Sequence, residues 1–187
     1  VAFDLKAPTF RHKAYEGYKA QRKGMPEELA VQMPVLKELL DAMRIGRIEL
    51  AGYEADDVLG TFARLAKKQP QLRTVILTGD RDALQLIDEM TQVMLLTSKP
   101  GQSTGVLYDI EAVQARYGVM PRALIEVKAL MGDASDNIPG VPGVGEKTAL
   151  GLIAEYGSLD AVYAHLPEIK KPALCAKLTE NRESAYL

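Results

Sequence analysis

The sequence predicts an α/β fold: a mostly parallel central sheet flanked by helices, followed by a C-terminal helical lobe. Three observations carry this expectation. Thr74-Val75-Ile76-Leu77 is a β-branched, wholly apolar run suited to a central parallel strand. Shorter strand-like runs, Val1-Ala2-Phe3, Ile48-Glu49-Leu50 and residues 92–96, alternate with segments whose apolar residues recur at helical spacing. After Asp109 only helical segments follow. The expected division is an α/β core over residues 1–110 and a helical lobe over 111–187.

In chain order, the first strand delivers Asp4 at its carboxyl end, where open α/β sheets gather their ligands. Ala7-Pro8 breaks the chain. Residues 11–23 then carry Arg11, Lys13, Lys19, Arg22 and Lys23 against Glu16 alone, a local +4 in a chain of net charge −2. Tyr15 and Tyr18 are interleaved, a pattern that suits phosphate contact and base stacking as well as a solvated helix face. Pro26, Glu27 and Glu28 open a helix whose Leu29, Met33, Leu36, Leu39, Leu40 and Met43 form an expected core face, with a kink at Pro34.

Glu54, Asp56 and Asp57 precede the helical run Val58, Leu59, Phe62, Leu65, Ala66. One acid is enough to cap a helix; three repel one another and point to a bound cation. Asp80 and Asp82 follow the 74–77 strand and repeat the Asp4 placement. Residues 101–105 read as a turn-rich loop into Val106-Leu107-Tyr108. Asp109 caps a helix to about Tyr117, and Pro121 opens another that ends at Met131.

That helix delivers Asp133 and Asp136, three residues apart, so that their carboxylates can converge. Gly140, Gly143 and Gly145 follow, spaced by Val141, Pro142 and Val144, with Lys147 and Thr148 just inside the next helix. Glycines permit positive φ and close approach of a ligand, and the helix start offers N–H groups to an anion such as phosphate. A carboxylate pair beside such a hairpin points to metal-dependent work on nucleic acid; a plain Gly/Pro turn with Asp136 as a cap is the simpler alternative. The tail, residues 172–187, reads as helical and carries no chemistry. Among the histidines, His12 lies in the basic stretch as a phosphate contact and His165 is incidental.

Composition narrows the classes. A 47% hydrophobic, 26% charged chain of 187 residues suits one globular core with an appended lobe. The single Cys175 excludes an internal disulfide and fits a reducing cytosol. No apolar run approaches membrane-spanning length, and no signal peptide is visible. The opening strand without an initiator Met reads as the start of a fragment. Eight carboxylates stand out: Asp4, Glu54, Asp56, Asp57, Asp80, Asp82, Asp133 and Asp136. All-oxygen ligation favours Mg²⁺ or Mn²⁺ over zinc, and so many acids suit two ions about 3.5–4 Å apart.

The stretches F-D-L-K-A-P-T-F-R-H, Y-K-A-Q-R, G-Y-E-A-D-D-V-L, T-G-D-R-D and G-D-A-S-D-N-I-P-G-V-P-G-V-G-E-K-T-A together resemble the 5′-nuclease (5′–3′ exonuclease/flap endonuclease) domain family of bacterial DNA polymerase I. The resemblance covers essentially the whole chain. It implies a PIN-like core with a helical arch at about 11–25, and a helix–hairpin–helix at about 132–156. It implies a nuclease of the bacterial cytosol, acting as a monomer on 5′-flap, nicked or branched duplex and on RNA primers in DNA replication and repair, with a polymerase domain in the same parent chain. Asp4, Glu54 and Asp56 would hold mainly a first metal, Asp80, Asp82, Asp133 and Asp136 a second, with Asp57 close by. Tyr18, Lys19 and Arg22 would act at the scissile phosphate. Arg11, His12, Lys13 and the hairpin residues Gly140, Val141, Gly143, Val144, Gly145, Lys147 and Thr148 would contact DNA, with K⁺ at the hairpin. The family opens with a further strand and metal-binding Asp that this sequence lacks, so the fragment is expected to bind flaps and cut them poorly.

Two other readings use the same residues. A catalytically silent, structure-specific DNA-binding module would keep the arch and hairpin but has no use for eight acids facing a polyanion. A related metal-dependent ribonuclease would use the acids but leaves the glycine hairpin unexplained.

Overall fold

Strand-forming and helix-forming segments sort into two units in the computed structural model, which describes residues 1–99 and 101–187. The first unit comprises Val1–Phe62 with Ser135–Asn137; the second comprises Ala63–Ala134 and Ile138–Leu187.

In the first unit, β1 (Ala2–Phe3) and β2 (Ile48–Glu49) pair in parallel, Ala2 opposite Ile48 and Phe3 opposite Glu49. Helix α1 (Phe10–Ala14) starts at the buried Thr9, whose N–H and hydroxyl lie 3.2 and 2.9 Å from His12 Nδ1, a reciprocal cap. The expected long helix from Pro26 is instead two, α2 (Glu27–Ala30) and α3 (Gln32–Ala42). Pro34 lies in the first turn of α3, where a missing N–H does no harm, so the chain breaks at Val31 rather than kinking at the proline.

The apolar face of this segment is not core. Leu29, Leu36, Leu39 and Met43 are 46%, 41%, 54% and 59% exposed. Two strands of two residues each offer too little apolar surface to cover it. Helix α4 (Ala55–Ala66) begins in this unit and buries Val58 there.

In the second unit, β3 (Thr74–Thr78), β4 (Thr91–Lys99) and β5 (Gln102–Tyr108) form a sheet in that order. β3 runs parallel to β4, with Ile76 opposite Val93; β4 and β5 are antiparallel, with Leu95 opposite Val106. The 74–77 run is therefore parallel, as its composition suggests, but it is an edge strand. Ile76 is buried while Val75 and Leu77 are 54% and 63% exposed, the alternation of a strand covered on one face. Residues 102–105, expected as loop, are strand instead. Thr97 and Thr104 bring their hydroxyls to 2.8 Å, a cross-strand pair that polar composition had disguised as a turn.

A 3₁₀ turn, Arg81–Leu86, follows β3. Helix α5 (Ile110–Tyr117) is capped by Asp109, which accepts the Ala112 N–H at 2.9 Å, and ends at Gly118. After a 3₁₀ turn at Pro121–Ala123 come α6 (Leu124–Met131), α7 (Glu146–Tyr156), α8 (Leu159–Ala164), α9 (Pro172–Glu180) and α10 (Arg182–Ala185). One apolar core ties these together through Leu130 of α6, Ile153 of α7, Val162 of α8 and Leu178 of α9. Among the described residues no helix is long and apolar enough to cross a membrane.

Leu130 is fully buried. Leu130→Ala is expected to lower unfolding free energy by roughly 2–5 kcal/mol, measured by urea denaturation. Leu39→Ala, on the exposed face of α3, is expected to lower it by less than about 1 kcal/mol.

Candidate metal and nucleic-acid site

The first unit gathers carboxylates from separated stretches and sets cations against Glu54, Asp57 and Asp136. Asp57 accepts the Glu54 N–H at 2.9 Å, so one acid of the Glu54-Asp56-Asp57 group does close the start of α4. The same carboxylate takes both ends of the Arg11 guanidinium at 2.8 Å, and Arg11 reaches Glu54 at 3.1 Å. The Tyr18 hydroxyl lies 2.8 Å from Glu54 and 3.1 Å from Asp136. Lys19 Nζ is 2.5 Å from Glu54 and 3.9 Å from Asp136, and Arg22 is 2.5 Å from the other Asp136 oxygen.

Backbone geometry sets these distances. Beyond α1 the basic stretch is a succession of turns, with Lys19 at φ +54° donating its N–H to the Asp136 carbonyl at 2.9 Å. Asn137, at φ +60°, donates its side-chain amide to the Gly17 carbonyl at 2.7 Å. Asparagine tolerates that left-handed conformation better than most residues. The segment Ser135–Asn137 is thus pinned against residues 17–22, with Arg22 Nε donating to the Ser135 carbonyl at 3.1 Å.

Charge follows the same pattern. Burial pushes the Glu54 carboxyl up, but hydrogen bonds from Lys19 and Tyr18 and the charges of Lys19 and Arg11 outweigh it and hold it below the ordinary range. Arg11 holds the Asp57 carboxyl down in the same way. Burial, then the hydrogen bond to Glu54, raises the Tyr18 phenol, which therefore remains a donor. Asp4 accepts the Ala55 N–H at 2.7 Å, and Asp56 sits in the first turn of α4. The His12 ring, with Nδ1 engaged at Thr9, stands edge-on to Tyr18 at 5.1 Å, and Lys13 is exposed on α1.

The second unit repeats the arrangement with one cation. Asp80 caps the 3₁₀ turn by accepting the Asp82 N–H at 2.9 Å. Lys128 of α6 lies 2.9 Å from Asp82 and 2.6 Å from Asp133. Burial raises the Asp82 carboxyl, the hydrogen bond and charge of Lys128 oppose it, and Asp80 and Asp133 add to the rise. Burial alone would lower the Lys128 amine; Asp133 and Asp82 raise it on balance and keep it charged. Among the described residues no three acidic, histidine or cysteine side chains converge as a ready metal cage.

The donor set nonetheless fits a hard cation. All donors are carboxylate oxygens, and an ammonium already occupies the position between Asp82 and Asp133 where such a charge would go.

The glycine hairpin is fixed from below. Asp133 and Ile138 exchange two backbone bonds of 2.8 Å, and the Val141 N–H donates to Leu130 at 2.8 Å. Positive φ occurs at Gly132, Gly140 and Gly143, at +74°, +56° and +78°. Gly145 is extended at −95°, so the expectation of left-handed backbone there is corrected: Gly145 is simply the cap of α7. The side chains of Val141 and Val144 lie in the core, and their N–H groups bond to Leu130 and Val141. These two valines anchor the hairpin and have no donors left for a phosphate. The N–H groups of Gly143 and Gly145 have no acceptor among the described residues, and Lys147 is exposed in the first turn of α7.

Sequence reasoning passed over Lys128, Asn137 and Gly132. Lys128 lies five residues before Asp133 on a helix leading into it, a spacing that offered a signal.

Comparison with known proteins agrees with this architecture. Residues 1–118 match the 5'-3' exonuclease, N-terminal resolvase-like domain, and residues 119–187 match the 5'-3' exonuclease, C-terminal SAM fold. The chain belongs to the 5′–3′ exonuclease family. It is 46% identical to the thermostable DNA polymerase I of Thermus filiformis over its whole length, which is 22% of that relative. It is 42% identical to DNA polymerase I of Bacillus subtilis, again over its whole length and 21% of that protein. The chain thus spans about a fifth of the relatives it matches. Among solved structures, the T5 D15 protein co-crystallized with metal ions superposes with a TM-score of 0.78 at 24% identity, covering 100% of this chain and 71% of that one. The catalytic core of Rad2 in complex with DNA substrate gives 0.57 at 21%, covering 97% and 58%. Both share the fold.

At Gly140 an added Cβ would overlap the Gly132 amide and come within 2.6 Å of Gly132 Cα. Gly140→Ala is therefore expected to cost about 3 kcal/mol or more in unfolding measurements, strain and overlap together. At Gly145 a Cβ meets open space, and Gly145→Ala is expected to cost about 1 kcal/mol or less.

Proposed function

We propose that this chain is the nuclease portion of a DNA polymerase I-type protein of the bacterial cytosol, hydrolysing DNA phosphodiesters at 5′ flaps and nicks with divalent metal ions. The observation that carries the proposal is the Lys128 ammonium shared by Asp82 and Asp133, a built position for positive charge within an all-carboxylate set. Its relatives are DNA polymerases I, and fold neighbours have been crystallised with metal ions or DNA substrate.

In this reading Asp80, Asp82 and Asp133, and separately Asp4, Glu54, Asp56 and Asp57, hold Mg²⁺ or Mn²⁺; Asp136, expected with Asp80, Asp82 and Asp133, stands instead beside Glu54, sharing Tyr18 and Lys19 with it. Bound metal supplies an activated water and charge stabilisation for the leaving oxygen. Lys19 and Arg22 reach the reacting phosphate from the turns after α1. Tyr18 keeps its proton and donates to the carboxylates that position both cations. Arg11, His12 and Lys13 follow the backbone near the cut, while Gly143, Gly145, Lys147 and Thr148 grip duplex phosphates, with K⁺ at the hairpin.

A silent DNA-binding module is the second reading, favoured by the absence of a preformed three-ligand cage among the described residues. Calorimetry with Mg²⁺ and single-turnover cleavage of a 5′-flap duplex separate the two. The proposal expects Mg²⁺ binding that disappears in Asp82→Asn/Asp133→Asn. It expects Lys19→Ala in the full-length parent protein to slow cleavage by about 10²–10³ with flap affinity changed only a few-fold. Flap binding by that full-length protein without any metal-dependent cleavage would leave the binding module standing.

A further inference from the structure

The hairpin that presents the free N–H groups carries no charge of its own: Pro139, Gly140, Val141, Pro142, Gly143, Val144 and Gly145 are all uncharged. A cation reaches it from elsewhere in the second unit. Lys177 of α9 lays its side chain over Gly143, so that a Cβ built at Gly143 would overlap Lys177 Nζ and lie 3.5 Å from its Cε. A side chain at Gly143, besides straining a φ of +78°, would push the end of the flexible Lys177 side chain off the turn.

The placement is held by the neighbouring residue. Leu178 is fully buried in the core that also contains Val141 and Val144, and its carbonyl accepts the Tyr163 hydroxyl at 3.1 Å. Turning Leu178 inward fixes the rotation of α9 and with it the direction of Lys177. Among the described residues Lys177 forms no ion pair, unlike Lys19, Lys37, Lys67 and Lys128. An exposed ammonium with no acid partner, resting on a turn with unpartnered N–H donors, is a composite anion site.

We infer that Lys177 is a phosphate contact of the duplex-binding hairpin, supplying from α9 the charge that the hairpin lacks; this rests on the duplex-binding reading above. The ligand is the sugar–phosphate backbone of double-stranded DNA, independent of sequence. Helix α9 is thereby part of the binding surface and not merely a closing helix of the core.

The test is equilibrium binding of the 187-residue chain to a blunt duplex across a salt series, without divalent metal. Each phosphate contact contributes about 0.9 to the slope of log affinity against log salt. Lys177→Ala is expected to reduce that slope by about 0.9 and weaken binding equally on unrelated sequences. Lys177→Arg should retain the parent slope, and Lys68→Ala, a cation at the end of α4, should leave it unchanged. If Lys177→Ala proves less folded by circular dichroism, Lys177→Gln takes its place. A parent that binds duplex with an unchanged slope in Lys177→Ala overturns the Lys177 assignment and leaves the hairpin reading intact. An equal fall in Lys68→Ala overturns it too, as a net-charge effect. A parent that binds no duplex removes both.

Discussion

Repulsion between carboxylates is the constraint around which this chain is built. Glu54, Asp57 and Asp136 in one unit, and Asp82 and Asp133 in the other, are partly buried carboxylates that share cations and do not stand as bare anions. Each group is stable because a cation or a hydroxyl sits among its oxygens: Arg11, Lys19, Arg22 and Tyr18 in the first, Lys128 in the second. Turns that look irregular follow from this need. The left-handed backbone of Lys19 and Asn137 brings the basic stretch and the 135–137 segment into register so that charge meets charge. Fold and charge are coupled at these residues, because the backbone that positions the cations also positions the acids they neutralise.

Much of this was legible in the amino-acid sequence, for physical reasons that differ along the chain. Helix boundaries in the C-terminal half were readable because local chemistry decides them: Asp109 and Ser158 cap with their own side chains, and Gly118 and Gly157 stop helices by taking positive φ. The acids were readable because their density exceeds any structural use. What the sequence hid depends on neighbours distant in the chain. Leu36 and Leu39 look like core, but burial requires an opposing surface, and β1–β2 is too small to provide one. Thr97, Ser98, Ser103 and Thr104 of the β4–β5 ribbon look like loop, but their hydroxyls pair across the two strands. Val141 and Val144 look like part of a ligand surface because they alternate with glycines; their side chains face the opposite way, into the core.

The second unit shows how a turn with outward N–H groups can be kept rigid. A turn that offers its N–H groups outward cannot use them to hold itself together, so its stability has to come from below. The two valines supply apolar anchoring, the Asp133–Ile138 pair closes the base, and α6 and α7 are tied through Leu130 and Ile153.

The close approach of Gly132 and Gly140 has a bearing on how such chains change over generations. Each glycine occupies the space that a side chain on the other's neighbouring backbone would need: a Cβ on Gly132 would come within 2.5 Å of the Ile138 carbonyl, and one on Gly140 would meet Gly132 itself. No compensating substitution relieves such a clash, because backbone cannot be trimmed. A side chain at either position therefore meets main chain and not a neighbour that could be trimmed to make room. A glycine pair eight residues apart, enclosing an aspartate directly after the first, is thus a marker of this hairpin that can be searched for in distant sequences, where a bare run of glycines would mislead.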